Sequence, residues 1–134
     1  MELVKGIQLE HWNEHEHEWL AIYPLQPTDF EKQHGIWPLR IGANIAKPHY
    51  HIGPRVTHNY YLLCVLEGTG TFIQQKKQYH LQPNDIFCLF PQVIHEYYCD
   101  PQQPIKKLIL AFDGKQALAT LARLGLTPEH PHMP

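Results

Sequence analysis

Charge of either sign is scarce in this sequence. Only 18% of residues are charged, Lys+Arg (11) and Asp+Glu (13) nearly cancel, and the net charge is −2. With no basic stretch, the chain has no surface for neutralising phosphates, which argues against nucleic-acid binding by this domain itself. Long apolar runs are missing too; none approaches the roughly 18 residues that a membrane helix needs. Cysteine is limited to Cys64, Cys88 and Cys99, an odd number without metal-ligand spacing, so reduced thiols are expected. The opening MELVKGIQLE has no secretory signal pattern, which points to the cytoplasm. There is no internal repeat, low-complexity segment, glycine-rich phosphate loop, zinc-ribbon spacing or evident nucleophile–base pair.

What is present is enough apolar residue, 43% of 134, to bury the core of one domain of ordinary size. Two residue types are over-represented. Twelve prolines interrupt helices and central strands. Eleven histidines equal Lys+Arg combined, and protonating all of them would carry the net charge from −2 to +9. Such a chain is a candidate for pH sensitivity or metal binding.

The first 35 residues are polar, rich in His and Glu, and read as an arm with a short strand near Leu20–Tyr23. From Trp37 the texture becomes short apolar runs divided by turn residues. Strands are expected at Leu39–Ile45, Tyr60–Leu66, Thr71–Gln74, Gln78–Leu81, Ile86–Phe90, Val93–Cys99 and Ile105–Phe112. Lys47–Arg55, with Pro48, Gly53 and Pro54, reads as loop. Gly68 and Gly70 supply a tight hairpin, and Asn84 tolerates the left-handed conformation in the turn Gln82–Asp85. Helical periodicity follows only in Lys115–Leu124, where Leu118, Leu121, Ala122 and Leu124 share a stripe and Gly125 sits where a helix-terminating glycine belongs. Leu126–Pro134 reads as linker or tail. Seven short strands and one helix indicate a mainly β sandwich or small barrel.

Four segments carry a family resemblance. Tyr61-Leu62-Leu63-x-Val65-Leu66-Glu67-Gly68-x-Gly70-x-Phe72 resembles the first core hairpin of the sensor domain of AraC-family transcription regulators. Leu81-Gln82-Pro83-Asn84-Asp85-Ile86-Phe87 resembles that family's L-x-P-G-D-hydrophobic turn, with Asn84 in place of the usual glycine. Phe90-Pro91-x-x-Ile94-His95-x-Tyr97 resembles the next strand, and Phe112-Asp113-Gly114 with Leu124-Gly125-Leu126 the exit from the barrel. The resemblance covers roughly 37–127. It implies a cupin-type jelly roll, a double-stranded β-helix followed by a C-terminal helix. On that basis 1–35 is an arm, 36–113 an effector-binding barrel, 114–126 its helix, and 127–134 a linker towards a DNA-binding domain outside this chain. It also implies a non-enzymatic sensor of a small effector, often a sugar, in a bacterial cytoplasmic regulator. DNA would be contacted only through a separate helix-turn-helix domain, and homodimerisation is expected by analogy; no cofactor is implied.

The family places a ligand-contacting arginine where Arg55 stands and an aromatic where Tyr97 stands, so both carry over as ligand-binding candidates. Arg55 could equally pin a loop, and Tyr97 could be ordinary core. Lys107 occupies a position that is often aromatic or histidine in relatives and would supply a cation if it points inward. Tyr61 and His95 complete the set, and Trp19, Tyr23 and Pro24 are candidates for a lid over the effector. The stretch Ile105–Phe112 departs from the family: Ile105, Lys107 and Ile109 replace the aromatic platform that stacks on a sugar. Tyr61, Phe72 or Trp37 could substitute for it. Metal-dependent cupins resemble this fold and use H-x-H, a glutamate and a later histidine. His49-x-His51 lies too early for that pattern and only His95 matches it, so a metal is not expected. The histidines and glutamates of the arm (His11, His15 and His17 with Glu14, Glu16 and Glu18) read as solvated. Two other classes remain open: a standalone small cupin enzyme, an isomerase or dioxygenase, and a ligand-free dimerisation module.

Overall fold

In a computed structural model, which describes residues 17–134, alternation along the strands sets the layers. In β4 (Tyr60–Glu67) Tyr61, Leu63 and Val65 are buried while Tyr60, Leu62 and Cys64 face outward, and β5 (Gly70–Gln74) and β8 (His95–Cys99) repeat the pattern. The remaining elements are β1 (His17–Pro24), α1 (Asp29–Gln33), β2 (Trp37–Ala46), β3 (His51–Arg55), β6 (Lys77–Leu81), β7 (Ile86–Leu89), β9 (Lys106–Asp113), α2 (Ala117–Arg123) and β10 (His132–Met133). They form a six-stranded sheet in the order β1-β2-β9-β4-β7-β10 and a four-stranded sheet in the order β3-β8-β5-β6. Every strand pair is antiparallel. The two inner faces enclose a core of Leu63, Val65, Phe72, Leu81, Phe87, Leu89 and Ala111, all essentially without solvent contact. Each buried Phe or Leu contributes about 2–3 kcal/mol over an exposed one. This is the jelly roll with a short C-terminal helix that the sequence motifs imply.

The hairpin and turn chemistry holds. Gly68 has φ +86, and a Cβ there would sit 2.2 Å from the Pro104 carbonyl oxygen, so only glycine fits. Asn84 takes φ +77, the left-handed conformation that the turn requires. Behind it, Asp85 accepts a hydrogen bond from the Gln82 backbone at 3.0 Å, which closes the turn.

Four local readings differ. The strand near Leu20–Tyr23 extends from His17 to Pro24 and pairs with β2 along that length, and the unforeseen helix α1 follows, capped reciprocally by Thr28 and Glu31. Part of the segment read as loop, His51–Arg55, forms β3, which pairs with β8 around an irregularity between Ile52 and Arg55. The helix is shorter than Lys115–Leu124 and turned: Ala117 and Leu121 are buried against Phe90, Phe112 and Cys88, whereas Leu118 and Leu124 are exposed. Gly125 ends it at φ +92 as expected. Finally, the tail folds back. Leu126 is buried, β10 pairs with β7, and His132 Nε2 lies 2.8 Å from Asp85 Oδ2. Within 127–134, His132 and Met133 add to the edge of the six-stranded sheet beside β7.

Candidate functional site in the barrel interior

Lys107 is the unusual residue of the interior. Strand alternation places it on the inner face of β9, opposite Asn44 of β2 and Val65 of β4, and it is 1% exposed. A buried ammonium is costly unless its hydrogens find acceptors. Lys107 Nζ donates to Asn44 Oδ1 at 2.9 Å and to the Tyr50 hydroxyl at 3.2 Å. It also lies over the Tyr50 ring at 4.5 Å and the Tyr97 ring at 5.6 Å. The Tyr50 hydroxyl in turn donates to that of Tyr97 at 2.9 Å, so the chain Lys107–Tyr50–Tyr97 spans the two sheets. Burial, with Arg55 as the next cause, pushes the Lys107 ammonium down to about 7 from its usual 10.5.

Arg55 and His95 face each other across the β3–β8 pair, and Arg55 Nε donates to His95 Nε2 at 2.9 Å. That bond assigns the proton of the neutral imidazole to Nδ1. Burial first, and the Arg55 charge second, lower His95 to about 3, with the Val93 backbone acting the other way. His95 is therefore neutral at physiological pH. Beside it on β5, Gln74 is buried; its Nε2 donates to the Pro128 carbonyl at 2.9 Å, while its Oε1 has no hydrogen-bond partner.

Of the residues picked out from the sequence, Lys107, Tyr97, Arg55 and His95 come together. Tyr61 is also buried, and it accepts a hydrogen bond from Arg40 of β2. Trp19, Tyr23 and Pro24, expected as a lid, lie in β1 and pair with β2; Trp19 packs against the core whereas Tyr23 is exposed. Among the substitutes for a stacking platform, Phe72 is inside, but Trp37 lines an apolar groove of about 280 Å³ between the six-stranded sheet and α2, outside the barrel. His49 is exposed and His51 pairs with Glu96 at 2.6 Å on the rim. Asn44, Tyr50 and Gln74 were missed. Asn44 could have been found, because it shares an inward period with Gly42 and Ala46; Tyr50 lies in a connection and carries no such signal. Among the described residues no three His, Cys, Asp or Glu side chains are grouped to hold a metal ion.

Removing one hydroxyl tests whether the polar chain holds together. Tyr97→Phe should cost about 1 kcal/mol, because the Tyr50 hydroxyl loses its acceptor. Urea denaturation at pH 7 measures it, and an unchanged midpoint would show that the two hydroxyls do not support each other.

A family model described as AraC-like ligand binding domain matches residues 42–133. Among curated proteins no sequence match is found. Solved structures show the same fold at low identity. YhaK from Escherichia coli superposes with a TM-score of 0.58 at 13% identity, over 70% of this chain and 44% of that one, so this chain spans less than half of its length. A cupin superfamily protein from Desulfitobacterium hafniense gives 0.51 at 14% identity over 69% and 76%. A Ralstonia eutropha protein assigned as a mannose-6-phosphate isomerase gives 0.53 at 13% identity over 85% and 97%.

Proposed function

The chain belongs to the family of AraC-like ligand binding domains, and from that membership we propose that its barrel interior senses a small polar effector, a sugar or a sugar-like molecule. The observation that carries the reading is the polar group built around Lys107 inside the jelly roll. Hydrogen-bonding groups from β2, β3, β8 and β9 converge there beside the rings of Tyr50, Tyr97 and Phe72, the mixture that orients a polar ligand with one apolar side. The lining offers cations, hydroxyls and an imidazole held neutral by burial; a metal enzyme on this fold would call for three or four ligands at one point. The family membership supports reading the domain as a sensor. Bound effector would shift the population of conformations presented to a helix-turn-helix domain elsewhere in a cytoplasmic, dimeric regulator.

A thermal-shift panel of monosaccharides, disaccharides and their acids tests the reading. A ligand present at about a hundred times its dissociation constant should raise the melting temperature by on the order of 8 °C. If no member of the panel moves it, the reading fails.

A further inference from the structure

Two neighbouring side chains of the interior each bury a polar atom that makes no hydrogen bond. Gln74 of β5 and His95 of β8 stand opposite one another in the antiparallel pair and are both buried, 2% and 1% exposed. Gln74 Oε1 and His95 Nδ1 have no hydrogen-bond partner among the described residues. The other polar atom of each side chain is committed. Gln74 Nε2 donates to the Pro128 carbonyl at 2.9 Å. A carbonyl only accepts, so the amide cannot turn over, and Oε1 stays an acceptor. His95 Nε2 accepts from Arg55 Nε, so Nδ1 carries the proton and is a donor. The Val93 backbone acts on the ring without a bond of ordinary geometry to it.

A buried acceptor and a buried donor left unmade each weigh against the folded state. A carboxylate would satisfy Nδ1 but set its own oxygens against Oε1, and an ammonium would do the reverse. A hydroxyl donates and accepts at once. We propose that Gln74 and His95 form the subsite for a hydroxyl group of the effector, which donates to Gln74 Oε1 and accepts from His95 Nδ1. This rests on the effector-binding reading above and deepens it: the end of the ligand that meets β5 and β8 is uncharged and hydroxylated. An analogue lacking that hydroxyl leaves both buried atoms unpaired again, which makes the pair a determinant of specificity.

Monodeoxy analogues test the assignment. Every binding member of the panel above, with galactose, glucose, mannose and ribose among those tried, is compared with its complete set of monodeoxy analogues by calorimetry on the full chain. One analogue should bind about tenfold more weakly than its parent, or worse. In Gln74→Met that gap should shrink to about threefold or less, because the acceptor that reads the hydroxyl is gone. Circular dichroism confirms that the variant is folded. A second measurement uses the wild type alone: the side-chain amide carbon of Gln74, labelled with carbon-13, should shift when the parent saturates the site and stay in place with the weakened analogue. A panel member that binds no better than any of its monodeoxy analogues overturns the subsite and leaves effector binding standing. So does a folded Gln74→Met that keeps the full gap. A Gln74 amide carbon indifferent to the bound parent also overturns it, and leaves Oε1 to a structural water only. If nothing in the panel binds, both readings fall. Should Gln74→Met fail to fold, the amide carbon decides alone.

Discussion

Between pH 7 and pH 9 the free protein gains about 2 kcal/mol of stability, and replacing Lys107 with methionine removes the gain. The folded-state value of Lys107 is lowered to about 7 from an unfolded value of 10.5. Below 7 the ammonium is charged in both states, and the full cost of burying it counts against the folded state. From 7 upward the folded protein sheds the proton while the unfolded chain keeps it. The unfolded state then binds more protons, so stability rises with pH, and the rise would continue towards 10.5. Two pH units at about 1.4 kcal/mol each, reduced because Lys107 is still half-titrated at 7, give the figure of about 2 kcal/mol. The window closes near 9 because Cys88 acts in the opposite sense: burial raises its thiol well above the usual 9.0, so ionisation then favours the unfolded chain. Urea denaturation at pH 7, 8 and 9 on wild type and Lys107→Met measures the slope. A wild-type curve as flat as the variant's would mean that Lys107 is solvated.

On the acid side the expected loss is larger, about 3 kcal/mol between pH 7 and pH 4.5, and it is assigned to His95. Its folded-state value is lowered to about 3 from 6.5. Stability is therefore intact above 6.5 and is lost as pH falls from 6.5 towards 3, because the unfolded chain takes up a proton that the buried ring refuses. Two units of refusal by pH 4.5 correspond to about 3 kcal/mol. Protonation of Nε2 would also break its bond from Arg55, since both nitrogens would then be donors. His95→Gln keeps an acceptor for Arg55 and cannot titrate. Subtracting the variant's loss from that of wild type cancels the carboxylates common to both. A difference near zero would place His95 in contact with water. The histidine excess thus finds one physical use inside the barrel.

Much of this was legible in the chain because it is local. Gly68, Asn84 and Gly125 stand where positive φ is needed, and that demand acts through single residues. Strands β4, β5 and β7 announce themselves by apolar character and bounding turns. What resisted reading is non-local. β3 holds Gly53 and Pro54, which signal a loop, and it is a strand only because β8 pairs with it. The tail looks like a linker, with three prolines among Leu126–Pro134, yet β7 offers an unpaired edge that His132 and Met133 complete. The helix stripe pointed to Leu118 and Leu124, but a seven-residue helix on a sheet presses only Ala117 and Leu121 inward.

The site divides in the same way. Family position marked Arg55, Tyr97 and Lys107, and for Lys107 it left open whether the side chain points inward or to the surface. That Lys107 meets Asn44 and Tyr50, and that Arg55 meets His95, depends on register between strands far apart in sequence. No periodicity within one strand reports that.

The central claim is that Lys107 lies dry in the barrel, held by Asn44 and Tyr50. Its own titration, followed by the Cε resonances of carbon-13-labelled lysine and assigned by comparison with Lys107→Met, tests this most directly. The account predicts one lysine with a midpoint near 7. A Lys107 signal that titrates at its usual 10.5 would contradict it.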